Sequence, residues 1–181
     1  MRASVLLTVV CLSACAAYPT TRTFYEPDQA DGKPENRASC GYMNTKDSIR
    51  RIVDGIEISI SPAEENISTY GAGDLETFFG FSFRGADVRI DPSKIKVTDG
   101  SQAIFQGQVL EQSTRPTRRP NGTFTWTTLR LVYPAPAGRI ERLTYVFEPG
   151  SVTFDGKPVP VSAFNFTRVT KSDVYYGSIN C

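Results

Sequence analysis

Along most of this chain, apolar side chains recur at every second position. Ile56, Ile58 and Ile60 alternate with Glu57 and Ser59, and Phe79, Phe81 and Phe83 alternate with Gly80 and Ser82. The same beat returns at Val88-Arg89-Ile90, at Ile95-Lys96-Val97 and across residues 104–110. Phe124, Trp126 and Thr128 share one face of a run that ends near Tyr133. Leu143, Tyr145 and Phe147 follow, then Val152 and Phe154, Val159 and Val161, and finally Phe164 and Phe166. A period of two places alternate side chains on opposite faces of a strand, one buried and one wet. Asp99-Gly100, Asn121-Gly122 and Asp155-Gly156 supply the turns between such runs. Residues 45–53 alone show a helical tendency, and it is brief.

About eight or nine short strands at this spacing predict an all-β domain, an antiparallel β-sandwich of immunoglobulin-like or transthyretin-like build, with a small barrel as the alternative. Trp126 is not flanked by the cysteine pair of antibody-type domains, so immunoglobulin membership does not follow. The aromatic residues Phe79, Phe81, Phe83, Phe124, Trp126, Tyr145, Phe147, Phe164 and Phe166 read as core between two sheets. The rival reading has them lining a hollow that carries a small ligand or lipid.

The beat is absent from the beginning of the chain. Arg2 precedes an apolar run at residues 5–12. Such a run is too short to cross the roughly 30 Å hydrocarbon core as a helix, so it reads as a secretory signal. Leu12-Ser13-Ala14-Cys15 resembles the lipobox of bacterial lipoproteins. That resemblance implies removal of a signal peptide at residues 1–14 and lipid on Cys15: a diacylglyceryl group on its sulfur and an acyl chain on the new amine. Ala16 in the following position resembles the outer-membrane sorting pattern, which implies an anchored domain facing the periplasm. The alternative is an ordinary signal peptide cut near Ala14-Cys15-Ala16. Residues 15–39 are polar and rich in Pro, Asp, Asn and Gly after the cysteine. They read as a lipid-anchored flexible tether with a reach of roughly 25–30 Å, and residues 40–181 as the folded domain.

Charge and residue absences narrow the partners. The chain carries 20 Lys and Arg against 19 Asp and Glu. Without Arg2 the two signs balance, so no overall field draws the protein to nucleic acid, and contact with the membrane runs through the lipid. There is no histidine, which removes Ser-His-Asp and Cys-His nucleophile systems and imidazole metal sites. No motif for a cofactor, a metal or a catalytic group stands out.

The strongest local patch is Arg115, Arg118 and Arg119, in a Pro-rich stretch before Asn121-Gly122. Three guanidinium groups on a hairpin tip can bind phosphate, carboxylate or an acidic surface. The plainer reading is a solvated loop that shields a sheet edge. Glu64, Glu65, Asp74 and Glu76 surround the stretch Tyr70-Gly71-Ala72-Gly73-Asp74. Paired carboxylates there, Asp74 and Glu76 above all, would suit an enzyme acting on envelope glycans. A polar loop is the simpler account, as it is for Asp87, Asp91 and Asp99. Asn66-Ile67-Ser68, Asn121-Gly122-Thr123 and Asn165-Phe166-Thr167 match the glycosylation triplet and read as chance in a bacterial chain. The leading functional expectation is a non-enzymatic binding or scaffolding module of the cell envelope, with an envelope protein as a possible partner. In size, anchor and sandwich class it is similar to the accessory lipoproteins of type VI secretion systems, with no motif matched residue by residue.

Of four cysteines, Cys11 lies in the apolar signal run and Cys15 is the lipid site. Cys40 and Cys181 bracket the expected domain, and export to an oxidising compartment points to a bridge between them. Two free thiols, or pairing to other chains, are the alternatives; there is no CxxC spacing. The bridge predicts that the denatured, unreduced protein takes up no alkylating label at Cys40 or Cys181 and takes up two after reduction. Intact mass checks this, and labelling of both thiols before reduction would rule the bridge out.

Overall fold

A computed structural model describes residues 16–37, 42–63, 74–85, 87–101, 103–120, 122–136 and 140–177. Within them the chain forms β1 (Ala16–Pro27), β2 (Lys33–Glu35), β3 (Ser48–Val53), β4 (Ile56–Pro62), β5 (Asp74–Phe83), β6 (Val88–Ile90) and β7 (Ile95–Thr98). It continues through β8 (Ile104–Gln106), β9 (Gln108–Arg119), β10 (Gly122–Pro136), β11 (Arg142–Phe147), β12 (Val152–Phe154), β13 (Lys157–Pro158) and β14 (Phe164–Gly177). One sheet has the order β1-β14-β11-β7-β8 and the other β2-β3-β4-β5-β10-β9, with a small sheet β13-β12-β6. All pairings are antiparallel. The fold is the all-β sandwich that the period-two pattern predicts. Among the described residues neither sheet closes on itself, so the barrel alternative is not what forms. The chain crosses between the sheets at Gly107, where a β-carbon would meet the Tyr133 ring at 2.9 Å.

The alternating residues meet between the sheets. Ile56, Ile58, Ile60, Phe79, Phe81 and Phe83 from one side face Ile95, Val97, Leu143, Tyr145, Phe164 and Phe166 from the other, all buried. Tyr145 is the hub. Its ring stands edge-on to Phe79, Tyr133 and Phe166, with centroids at 5.6, 6.2 and 5.5 Å, the arrangement that aromatic quadrupoles favour. Its hydroxyl bonds Thr77 Oγ1 at 2.7 Å, and Tyr133 donates to the Ile95 carbonyl at 3.3 Å. Burial pushes both phenols far above the ordinary tyrosine range, so they stay neutral. These rings pack on one another between the sheets.

Two segments differ from the sequence expectation. Of the stretch expected to be a tether, residues 16–37 are described, and they are structured. Ala16 pairs with Gly177, and the register runs without a break to Pro27 opposite Phe166. Averaged over residues 15–39, the composition looks polar. Locally, however, Thr20, Thr21, Thr23, Phe24 and Tyr25 are strand formers, and Phe24 and Tyr25 are buried. Pro19 is tolerated because β1 is an edge strand. Beyond β1, the Asp31 carboxylate accepts from the Asn165 backbone and side-chain amides at 2.6 and 2.9 Å, tying down the turn that leads to β2. The second segment is residues 45–53, which holds no helix: Ser48–Val53 is strand β3. Asp54 and Gly55 turn it into β4 with φ of 48° and 80°, the two positive values that a type I′ hairpin requires. That Asp-Gly pair is the sequence cue that argues against a helix.

Asp173 fastens the segment before β3 to β14. It is only 4% exposed, and its carboxylate accepts from the backbone amides of Met43, Asn44 and Thr45 at 3.2, 2.9 and 3.0 Å, and from the Thr45 hydroxyl. Burial acts to raise its pKa. The bonds from Thr45, Asn44, Val174 and Met43 outweigh that and hold it below the usual carboxylate range. A depressed folded pKa contributes stability above the unfolded value of about 3.9, and that stability is lost as pH falls through the folded value. Asp173→Asn is expected to lower unfolding stability by about 2–3 kcal/mol at neutral pH, and to flatten the acid limb below about pH 4. Urea melts across pH check both. An unchanged melt at neutral pH would show that the clamp contributes nothing.

Candidate binding cleft on the outer face of the six-stranded sheet

The face of this sheet turned away from the core has a pattern of its own. Trp126, Thr128 and Arg130 of β10 lie opposite Ser82, Gly80 and Phe78 of β5, and Gly80 and Phe78 lie opposite Ser59 and Ser61 of β4. On the other side, Arg115, Ser113 and Glu111 of β9 lie opposite Trp126, Thr128 and Arg130. Directly paired residues project to the same side, so these side chains form one outer surface. At its centre, Gly80 has no side chain. A β-carbon there would stand 2.5 Å from Ser59 Oγ and 2.8 Å from Trp126 Cζ2, so the indole occupies the space that the glycine leaves. The result is a cleft of about 250 Å³, lined by Arg37, Phe78, Trp126, Glu111, Arg130 and the hydroxyls of Ser48, Ser59, Ser61 and Thr128.

Its charges are unevenly matched. Glu76, 3% exposed, pairs through Oε1 with Arg130 Nε at 3.1 Å, and its Oε2 accepts no hydrogen bond among the described residues. Arg130 also reaches Glu111 at 3.8 Å. Asp47, buried, pairs with Arg22 at 3.1 Å and accepts from the Arg37 backbone amide at 2.9 Å. The Arg37 guanidinium lies 3.8 Å from the centre of the Phe78 ring. It makes no ion pair within 4 Å among the described residues. Burial lowers its pKa while Asp47 and Glu76 raise it, and an arginine remains charged under any such shift. Arg37 is therefore a fixed cation at the solvent-exposed rim of the cleft, and its guanidinium donates no hydrogen bond among the described residues.

The residues singled out in the sequence fare differently. Arg115 and Arg118 are not on a loop; they lie in β9, the edge strand of the sheet. Three positions apart on a strand, they project to opposite faces: Arg115 opposite Trp126, Arg118 opposite Thr123. Arg119, the last residue of β9, pairs with Gly122. The expected patch is thus divided by the pleat. Asp74 and Glu76 share a face of β5, but Asp74 is exposed whereas Glu76 is buried against Arg130. Glu64, Glu65 and residues 70–73 lie outside the described residues, as do Cys15, Cys40, Cys181, Asn66 and Asn121. Asp91 and Asp99 cap turns by accepting from Ser93 and Ser101 amides at 3.1 and 2.9 Å, and Asp87 pairs with Arg89 at 3.0 Å. The Asn165 side-chain amide donates to Asp31 and accepts from Thr144.

Phe124 and Trp126, expected in the core with the other aromatics, are on this outer face and only half buried. They do share one face with Thr128, but it is the face the core does not use. Sequence reasoning missed the cleft. The available cue was Gly80 within a strand, a mark of close approach by another group. Arg37 carried no cue, because its partner Phe78 is 41 positions away.

Among the described residues no cluster of three metal-ligating side chains occurs, and no helix is long and apolar enough to cross a membrane. The chain matches no known protein family, and neither a curated protein nor a solved structure is significantly similar to it. Gly80→Ala is expected to destabilise the fold by about 1–3 kcal/mol through overpacking, and to shift the emission of Trp126, the chain's single tryptophan. Denaturant melts and fluorescence read the two effects. Unchanged emission would mean that the indole does not sit over Gly80.

Proposed function

We propose that the mature chain is an outer-membrane lipoprotein and that its sandwich is a non-enzymatic binding module of the cell envelope. The lipobox-like Leu12-Ser13-Ala14-Cys15 supports the anchor. The observation that carries the binding reading is Arg37: a cation stacked on Phe78, without an ion-pair partner among the described residues, in a cleft walled by Trp126 and four hydroxyls. Guanidinium donors suit a carboxylate, and an indole face with hydroxyls beside it suits a sugar ring. The proposed ligand is a sugar unit that carries a carboxylate.

Binding is favoured over hydrolysis on geometric grounds. Glycoside hydrolysis needs two carboxyl groups across the scissile bond, roughly 5–9.5 Å apart. Among the described residues the cleft is lined by a single carboxylate, Glu111, which is largely exposed. Glu76 is held behind Arg130 and Asp74 is outside the lining. A scaffolding role has one observation of its own in the open edge β9 and the exposed apolar residues Ile104 (66%) and Val109 (50%) beside it. An envelope protein held there would be lost from a Val109→Lys chain, and its retention would remove that reading.

Titration followed by Trp126 emission tests the ligand. N-acetylmuramic acid is expected to bind, and N-acetylglucosamine, which lacks the carboxylate, at least about 10-fold more weakly. Arg37→Gln is expected to erase that preference. Equal binding of the two sugars, or a preference that survives Arg37→Gln, refutes the assignment. Intact mass of native membrane material tests the anchor independently.

A further inference from the structure

The structure places the start of β1 against the end of β14, Ala16 opposite Gly177. Cys15 is the residue before Ala16. A residue spans at most about 3.6 Å, so acyl chains on Cys15 would leave the polypeptide at the sheet itself, with no tether to hold the domain away.

What stands at that end is distinctive. Tyr18 lies opposite Tyr175 in the strand register, and Tyr42 bridges to Tyr175 from the other side. Both ring pairs have centroids 5.2 Å apart. Tyr18 is 49% exposed and Met43 57%. The group is rigidly seated: Asp173 clamps Met43 to Thr45, and the Arg22 guanidinium lies 4.4 Å from the Tyr42 ring. Charge is missing here. The described residues 16–21, 42–45 and 174–177 contain no Asp, Glu, Lys or Arg, in a chain that is 22% charged. Of the charged residues that bound these stretches, Arg22 and Asp173 are buried and engaged, whereas Lys46, beside the foot, is exposed and carries the sign that suits anionic headgroups.

An apolar, tyrosine-bearing, uncharged end suits one environment in particular. Tyrosine rings prefer the membrane–water boundary, where the ring meets lipid and the hydroxyl meets water. Acyl chains emerging beside that end would bring it there. We infer that this end is a bilayer-docking foot: Tyr18, Met43 and the Tyr42–Tyr175 pair settle at the lipid headgroups and fix the domain's orientation on the membrane. The inference rests on acylation of Cys15 as proposed above, and its occupant is the lipid surface. Along β1 the opposite end, at Pro27, stands about 35 Å away.

The test uses the mature acylated protein in lipid nanodiscs that contain headgroup nitroxide lipids, with amide relaxation measured residue by residue. Amides of Tyr18, Met43, Val174 and Tyr175 are expected to broaden several-fold more than those of Ala30 and Asn165 at the far end. Tyr18→Asp combined with Met43→Asp, both at exposed positions, is expected to level that gradient while the folded spectrum persists. Equal broadening at both ends of the acylated protein overturns the foot alone, as does a gradient unchanged in the double variant. Native material whose intact mass lacks acyl chains overturns the anchor and the foot with it.

Discussion

Everything in this domain depends on a layer of aromatic rings held between two antiparallel sheets. Tyr145 stands at its middle, edge-on to Phe79, Tyr133 and Phe166, with its hydroxyl satisfied by Thr77 across the interface. Such a layer tolerates little displacement. Rings packed edge to face lose contacts when shifted by fractions of an ångström, and a buried hydroxyl that loses its partner costs about 1–3 kcal/mol. The register of β5, β10, β11 and β14 is therefore set by the fit of this layer as well as by backbone pairing.

That register determines what the opposite face of the six-stranded sheet displays. Because Phe79 and Phe81 must point inward, Phe78, Gly80 and Ser82 must point outward. The absent side chain at Gly80 then admits the Trp126 indole, and Phe78 becomes a platform for Arg37. The cleft is in this sense the reverse side of the core. Its ionic balance has a similar origin: Asp47 is occupied by Arg22 and Glu76 by Arg130, which leaves the Arg37 guanidinium without a carboxylate partner among the described residues.

The pairing of β1 with β14 links these features to the start of the chain. It extends the five-stranded sheet to Ala16, so the first residues after Cys15 belong to the domain. On the proposed acylation of Cys15, the domain would be held at its own sheet, and the side chains at that end would form part of the attachment. Tyr18, Tyr42 and Tyr175 are partners in one cluster although they come from three distant parts of the sequence.

Part of this structure is written locally in the sequence. Period-two alternation at Ile56–Ile60, Phe79–Phe83, Ile95–Val97 and Phe164–Phe166 was legible because burial of one face of a strand leaves its mark on every second residue. The sandwich class, the inward residues and the turn at Asp155-Gly156 all followed from it. Alternation says which residues share a face, but not which face meets the core, and so Trp126 and Phe124 were placed with the wrong layer. Composition averaged over a segment could not reveal β1, whose stability lies in backbone bonds to β14, some 150 positions away. The same holds for Arg37 on Phe78, for Asp173 on Met43 and for the division of Arg115 from Arg118. Local periodicity determined what this chain is made of; long-range pairing decided which of its residues meet, because contact between distant residues is a property of the register and not of either residue.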